Sequence, residues 1–389
     1  MRYNTISDLE LRHKRVLIRV DMNVPINQGV ITDDTRIKAS LPTIRYALEK
    51  GSQVILMTHL GRPKEGEYSQ EADVKPIAER LGTYLQRKVP VIDNWQQLKT
   101  SFPATNIVML QNVRFNLGEK ENSKELGQAY AALCDIFVND AFGTAHRAQA
   151  STHAVACFAA QNACGLLLDM ELRSLERALS NPQRPLLAIV GGSKISTKLK
   201  VLNRLADKVD YLIVGGGIAN TFLLTQNINV GNSLVETSLI NEAKEILDKV
   251  EKKGGNLPLP LDVYVAQNFS PEAQATLKNI NELSLEDQIL DFGPKSMQQI
   301  ERFIQQASTI VWNGPVGVFE FPNFSYGTAQ LAKAIAASRA YSVAGGGDTL
   351  AAINHFNIGS SIDYVSTGGG AFLEFLEGRD LPAIEVLLK

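Results

Sequence analysis

The 389 residues, 44% hydrophobic and 21% charged, exceed what one ordinary core needs and have the composition of a soluble globular protein of two domains. A net charge of -2 gives no broad positive field to draw in nucleic acid or a membrane surface, so any anion site must be local. Three cysteines, Cys134, Cys157 and Cys164, are an odd count with no close pair, which argues against a disulfide framework or structural zinc; they read as small core residues.

Residues 1–10 carry charged and polar side chains where a secretory signal needs an apolar stretch, and no apolar run reaches membrane-spanning length; the expectation is a cytoplasmic protein. Short apolar runs at 16–20, 54–57, 107–110 and 136–138 alternate with stretches of helical period, the pattern of a parallel sheet. Between the first two, Ile37, Leu41, Ile44 and Leu48 share a helical face, Asp34 or Thr35 can cap the start, and Gly51 marks the stop. Pro42 implies a kink or a later start. A further helix is predicted over 165–179, with Leu168, Leu172, Leu175 and Leu179 in register and Asn181-Pro182 breaking it; a domain boundary is expected near there.

The same grammar returns in the runs 187–190, 211–214, 263–266, 310–312, 341–344 and 364–366. One intervening helix joins Ile240, Ala243, Leu247 and Val250 before Gly254-Gly255. Strands this apolar must be covered on both faces, so the predicted architecture is α/β: two doubly wound, Rossmann-like parallel-sheet domains joined by a hinge helix, with a cleft between them. The first half holds 9 of the 29 glycines and the second 20, an imbalance that points to different work at the strand ends, where such sheets bind ligands.

In the second half, five runs open directly onto glycine: AIVGGSK (188–194), LIVGGGIAN (212–220), VWNGPVGVFE (311–320), VAGGGDTL (343–350) and VSTGGGAF (365–372). Glycine at a strand-to-helix turn lets backbone amides approach phosphate oxygens closely, and the helix start adds a favourable dipole. A tight turn explains any one of them alone; five together favour a phosphate site. Neither the Walker spacing nor the three-glycine dinucleotide pattern is present. Lys194 and Lys198 stand four apart, so a helix starting there would aim both ammonium groups at phosphates; the alternative is two solvated surface lysines. Asp348, after three glycines and before Thr349, suits a carboxylate holding nucleotide-bound magnesium, with helix capping as the rival. Glu320 is a candidate acceptor for ribose hydroxyls.

The first half has a different vocabulary. RVDMNVP (19–25), THLGRP (58–63), QNVRF (111–115) and FGTAHRA (142–148) end its strands, and Arg36 follows an Asp-Asp-Thr turn. A lone arginine is ordinarily solvated or salt-bridged, but Arg36, Arg62, Arg114 and Arg147, with His59 as a further donor, favour a site for phosphate and carboxylate oxygens.

These strings, in this order and over nearly the whole chain, closely resemble the phosphoglycerate kinase family. The resemblance implies transfer of the acyl phosphate of 1,3-bisphosphoglycerate to magnesium ADP, giving 3-phosphoglycerate and ATP, and the reverse. It implies an N-terminal glycerate-binding domain over 1–170, with 373–389 packing back on it, and a nucleotide-binding domain over 171–372. It places Asp21, Asn23, Arg36, His59, Arg62, Arg114 and Arg147 at the three-carbon substrate, with Arg36 facing the transferring group. It places Gly192, Lys194, Lys198, Gly216, Asn313, Glu320, Gly345, Gly346, Gly347, Asp348 and Thr349 at the nucleotide, and Arg36, Lys194, Gly346 and Gly369 in the transfer step. Magnesium would be held by Asp348, and a monomer is expected. Two departures fall at Gln149, where many members carry histidine, and at Gln111, where glutamate is common; they bear on substrate-phosphate contacts and on the hydrogen bonding behind Arg114. The rivals on fold alone are a nicotinamide-dependent dehydrogenase and a non-catalytic two-lobed anion-binding protein.

Overall fold

In the computed structural model, which describes residues 2–99 and 102–388, the first apolar run is strand β1 (Arg15–Val20), followed by a small hairpin of β2 (Ile26–Asn27) and β3 (Val30–Ile31). Then come β4 (Gln53–Met57), β5 (Val91–Ile92), β6 (Ile107–Leu110), β7 (Ile136–Asp140) and β8 (Gln161–Cys164). They form a six-stranded sheet in the order β5-β6-β4-β1-β7-β8, every pair parallel. Parallel register puts all their carboxyl ends at one edge, so the segments after β1, β4, β6 and β7 leave from the same side. The sheet belongs to one compact unit, Met1–Leu172 with Asp380–Lys389.

Helix Thr35–Glu49 buries Ile37, Leu41 and Ile44 and ends before Gly51, whose φ of +78° suits the stop read from sequence. It starts at Thr35 and runs through Pro42, so the later start allowed for that proline does not occur. Pro42 lies on the exposed face, where water can serve the carbonyl that its missing N–H leaves free.

Helix Leu166–Leu179 has Leu168, Leu172, Leu175 and Leu179 all buried. Its start is fixed by β7: Asp140 Oδ1 accepts from Leu167 N at 3.0 Å and Leu168 N at 3.1 Å, while Leu166 N donates to Thr43 Oγ1 at 3.0 Å. Three of the end amides a helix leaves unsatisfied are thus provided for. Burial pushes the Asp140 carboxyl up to about 7. The helix runs across the division between the two units, which falls at Leu172 and Arg173.

The second unit, Arg173–Arg379, begins with β9 (Leu186–Gly191) and β10 (Tyr211–Gly215). Next come β11 (Asp262–Ala266), β12 (Thr276–Asn279) and β13 (Gln288–Phe292), then β14 (Thr309–Asn313), β15 (Tyr341–Ala344) and β16 (Tyr364–Val365). Five of these make a parallel sheet in the order β10-β9-β14-β15-β16. The run 263–266, read from its apolarity as one more parallel strand, is instead the centre of a separate antiparallel sheet ordered β12-β11-β13. Val263 and Val265 are buried there as they would be in a parallel sheet, so burial alone does not distinguish the two cases.

Helix Gly370–Leu376 belongs to the second unit, and the return to the first begins at Asp380. It is anchored where Asn139 Nδ2 donates to Ala383 O at 3.2 Å and Ala383 N donates to Ala145 O at 3.1 Å. Of the cysteines expected in the core, Cys164 is buried and Cys134 half-buried, but Cys157 is exposed at the end of a short helix. No helix among the described residues is long and apolar enough to cross a membrane.

Candidate active site

In the first unit the cations gather around His59, at the carboxyl edge of the parallel sheet. Asp21 and Asn23 follow β1: Asp21 Oδ2 accepts from Arg36 Nη1 at 2.8 Å, and Asn23 Oδ1 accepts from Gly61 N at 3.0 Å. Met22 N donates to Thr58 Oγ1 at 3.0 Å, so the segments after β1 and β4 are stitched together. Arg114 is buried, and its guanidinium donates to Gly61 O; Arg62 and Arg147 are exposed.

Electrostatics show that these side chains share one neighbourhood. Burial, then the charges of Arg19, Arg114, Arg36 and Arg147, hold His59 well below its ordinary pKa. Burial, then Arg147 and Arg19, bring Arg114 down to about 10, with Arg62 adding to the repulsion. Every arginine read from the sequence therefore acts on His59, on Arg114 or on both. Such mutual repulsion is relieved when an anion arrives.

In the second unit, the five glycine turns follow the five strands of one parallel sheet, so all five stand at one edge. Their backbones interlock. Gly216, with φ of +63°, sits so close to its neighbour that a Cβ would fall 2.6 Å from Gly192 O, and one on Gly314 would fall 2.3 Å from Gly191 O. Buried Thr349 ties two more turns: its Oγ1 accepts from Gly314 N at 2.8 Å and donates to Gly345 O at 2.9 Å. Asn313 Nδ2 donates to the same Gly345 O at 2.7 Å, leaving Asn313 Oδ1 buried without a partner.

The two lysines do not share a helix as the spacing suggested. Lys194 is exposed and extended ahead of a single 3-10 turn, Ile195–Thr197, and the α-helix starts only at Leu199. Lys198 folds inward, donating to Gly191 O at 2.6 Å and Asn313 O at 3.3 Å. Burial lowers its pKa to about 8, with the charge of Asp348 opposing. Asp348 and Glu320 are exposed, Asp348 on the first turn of helix Gly347–His355, whose N-cap is Gly346. Gly369 precedes helix Gly370–Leu376 with φ of +51°, and nothing lies near its missing side chain.

A phosphoglycerate kinase family profile matches residues 6–379. The chain belongs to the phosphoglycerate kinase family. It is similar to phosphoglycerate kinase from Coxiella burnetii, with 51% identity and a TM-score of 0.95 over 99% of this chain and 98% of that one. It is also similar to phosphoglycerate kinase from Pyrococcus horikoshii OT3, with 30% identity and a TM-score of 0.81 over the same shares. The enzyme is a phosphotransferase with a carboxyl acceptor: it moves a phosphoryl group reversibly between 1,3-bisphosphoglycerate and ADP, giving 3-phosphoglycerate and ATP, a step of glycolysis. Nothing in the fold or the comparisons favours a dehydrogenase or a non-catalytic binding protein.

Seen as a phosphoglycerate kinase, the chain has features that sequence reading missed. Arg19 is fully buried behind His59; an arginine inside the run RVLIRV was the available signal, since no cation is buried without a partner. Leu234 is 51% exposed, and its Cδ2 would lie 3.4 Å from a Cβ on Gly217, placing an apolar surface beside the second glycine turn. Asn112, whose Oδ1 accepts from Arg114 N at 3.1 Å, stands between Arg114 and Gln111. Gln111 Oε1 accepts from Val74 N at 3.2 Å and Asn112 N at 2.8 Å, and its Nε2 donates to Asp73 Oδ1 at 3.1 Å. A glutamate there would set a second carboxylate against Asp73, so the amide is what this neighbourhood accommodates. Gln149 is buried and opens the helical turn Ala150–Ala154.

Proposed function

We propose that the cations of the first unit hold 3-phosphoglycerate and the glycine edge of the second holds the nucleotide. The observation that carries this reading is the convergence of Arg36, Arg62, Arg114 and Arg147 on His59 and Arg114 in a protein whose net charge is -2. Asp21 and Asn23 orient Arg36 and the Gly61 turn; Arg62, Arg114, Arg147 and His59 bind the anionic groups of the glycerate. Arg36 faces the transferring phosphoryl group.

On the nucleotide side, the amides of Gly192, Gly216, Gly345, Gly346, Gly347 and Gly369 line the phosphates, with Lys194 and Lys198 as cations. Asn313 and Glu320 contact the nucleotide, and Leu234 offers its side chain to the base. Asp348 supplies one hard carboxylate oxygen at a helix start, beside Lys198, which fits a magnesium ion that takes its other ligands from phosphate and water. Bound there, magnesium supplies neutralisation of phosphate charge. The protein's work is alignment and charge stabilisation by Arg36, Lys194 and backbone amides, with no phospho-enzyme. Bending at 165–179 and at the 368–370 turn brings the two substrates together and expels water. The enzyme works as a cytoplasmic monomer.

A coupled assay with 3-phosphoglycerate and magnesium ATP tests the reading. Replacing Arg62 or Arg147 with Gln is expected to raise KM for 3-phosphoglycerate by at least ~10-fold, the loss of one charge-assisted contact, and to leave KM for ATP unchanged. Equal rises in both constants would refute the assignment of separate sites.

A further inference from the structure

His59 has two charged neighbours that ask opposite things of it. Its Nδ1 lies 3.2 Å from Arg19 Nη2 and 4.0 Å from Asp21 Oδ1. A guanidinium has only donors, so it needs a lone pair on Nδ1; a carboxylate has only acceptors and would want a proton there. Distance favours the guanidinium. Asp21 is also already engaged, by Arg36 Nη1 at 2.8 Å and by Asn23 N at 3.4 Å.

Arg19 is itself held from behind by a chain in which each link has one direction while Glu119 is ionised, a state that burial opposes and that the Ser151 hydrogen bonds and the Arg19 charge favour. Arg19 Nε donates to Ser151 Oγ at 3.0 Å, so the single hydroxyl proton of Ser151 goes to Glu119 Oε1 at 2.6 Å. Ser151 N donates to Glu119 Oε2 at 3.1 Å, and Arg19 Nη1 donates to Val20 O. Arg19, Ser151 and Glu119 are all fully buried. An ion pair relayed through a hydroxyl and hidden from water costs desolvation, and it contributes little fold stability that apolar packing would not. Its cost is consistent with a role in placing the guanidinium.

We propose that the buried Arg19–Ser151–Glu119 chain is a positioning device that fixes His59 as the neutral Nε2–H tautomer, so that the ring meets the glycerate as a donor at Nε2 and cannot take up a second proton. This rests on the reading that His59 belongs to the glycerate site. The other arginines facing His59 act the same way: Arg114, Arg36 and Arg147 all oppose protonation, and Asp21, 4.0 Å from Nδ1, favours it. The consequence is a substrate-binding histidine whose hydrogen-bonding role does not change across physiological pH, although an ordinary histidine titrates there.

The test is the ring nitrogen resonances of His59 in the full-length enzyme, labelled with 15N-histidine and followed from about pH 5.5 to about pH 8.5, the window of ordinary histidine titration. The expected result is an unprotonated Nδ1 and a protonated Nε2 throughout. A protonated Nδ1 in the neutral ring, or titration of the ring above about pH 6, would overturn the proposal. In Arg19→Gln the ring is expected to titrate at a higher pH than in the wild type, still below its ordinary range because burial and the charges of Arg114, Arg36 and Arg147 remain, and kcat/KM for 3-phosphoglycerate to acquire a matching pH dependence. Unchanged nitrogen shifts in that variant would equally overturn it, and if the variant does not fold, the wild-type spectrum decides alone. Adding 3-phosphoglycerate separates the two readings: if the His59 resonances do not move, the glycerate assignment fails while the tautomer assignment stands.

Discussion

Thr349→Val removes one hydroxyl and keeps the side chain's size, which makes it a clean probe of how the glycine edge is held. In the wild type that hydroxyl accepts from Gly314 N at 2.8 Å and donates to Gly345 O at 2.9 Å, both buried. Gly345 O keeps Asn313 Nδ2 at 2.7 Å, so it is not orphaned and loses only a neutral bond, about 1 kcal/mol. Gly314 N–H has no replacement and costs ~1–3 kcal/mol to leave buried and unpaired. The sum is about 2–4 kcal/mol. Trp312 is the natural reporter, because its Nε1 donates to Gly314 O at 2.9 Å and the chain's other tryptophan, Trp95, lies in the first unit. With Trp95→Phe as background, urea unfolding followed by Trp312 fluorescence should shift its midpoint down by about 1 M, taking a slope of ~3 kcal/mol per molar. Calorimetry should show ADP binding weakened about tenfold, because part of the loss falls on the amides proposed to meet the nucleotide phosphates. Thr349→Ser should restore both. An unchanged midpoint together with unchanged ADP affinity in Thr349→Val would refute the claim that this hydroxyl holds the edge.

Other perturbations address the chemistry and the buried acids. Arg36→Ala should lower turnover by roughly 10³-fold, as removal of a transition-state arginine does, in the coupled assay; near-normal turnover would remove it from the transfer step. Asp348→Asn should weaken magnesium ADP binding in calorimetry and leave 3-phosphoglycerate binding nearly intact, and a matched loss of both would contradict its role. Asp291 is buried with Oδ2 accepting from Gly327 N at 2.7 Å and Oδ1 unpaired, and burial pushes its carboxyl up to about 8. Because the folded value lies above the unfolded one, its contribution to stability is complete below about pH 4 and is lost as pH rises through about 8. Asp291→Asn should therefore gain on the wild type in unfolding free energy between about pH 4 and about pH 8, and a constant difference over that range would argue against the shift.

The parts of this enzyme legible from sequence are those where residue type and backbone demand coincide. Leu168, Leu172, Leu175 and Leu179 announced a helix because burial on one face requires that spacing, and all four are buried. The five glycine-ended runs announced one edge, because strands of a parallel sheet end together. What stayed hidden depends on the identity of a distant neighbour. The run 263–266 reads the same in a parallel or antiparallel sheet, and only pairing with Thr276–Asn279 and Gln288–Phe292 tells them apart. Lys198 looked like a partner for Lys194 on a helix, yet it satisfies itself on Gly191 O, seven residues back, and on Asn313 O, on a strand more than a hundred residues away. The hydrogen bonding behind Arg114 was likewise open from sequence: Gln111 serves Asp73, Val74 and Asn112, and Asn112 Oδ1 in turn accepts from Arg114 N.

The interlocked glycine turns also limit what evolution can repair. A side chain added at Gly345 would meet the Phe372 ring at 2.7 Å, so a smaller residue at position 372 offers a route to a suppressor; Gly346, with φ of +100°, has none, because its backbone conformation disfavours any side chain. At Gly191 the obstacle is Pro315 O at 1.7 Å, at Gly216 it is Gly192 O and at Gly314 it is Gly191 O. A carbonyl is common to all twenty amino acids and cannot be mutated away. Revertants of lesions at Gly191, Gly216, Gly314 and Gly346 should accordingly be same-site changes back to glycine, while lesions at Gly345 should also yield second-site ones.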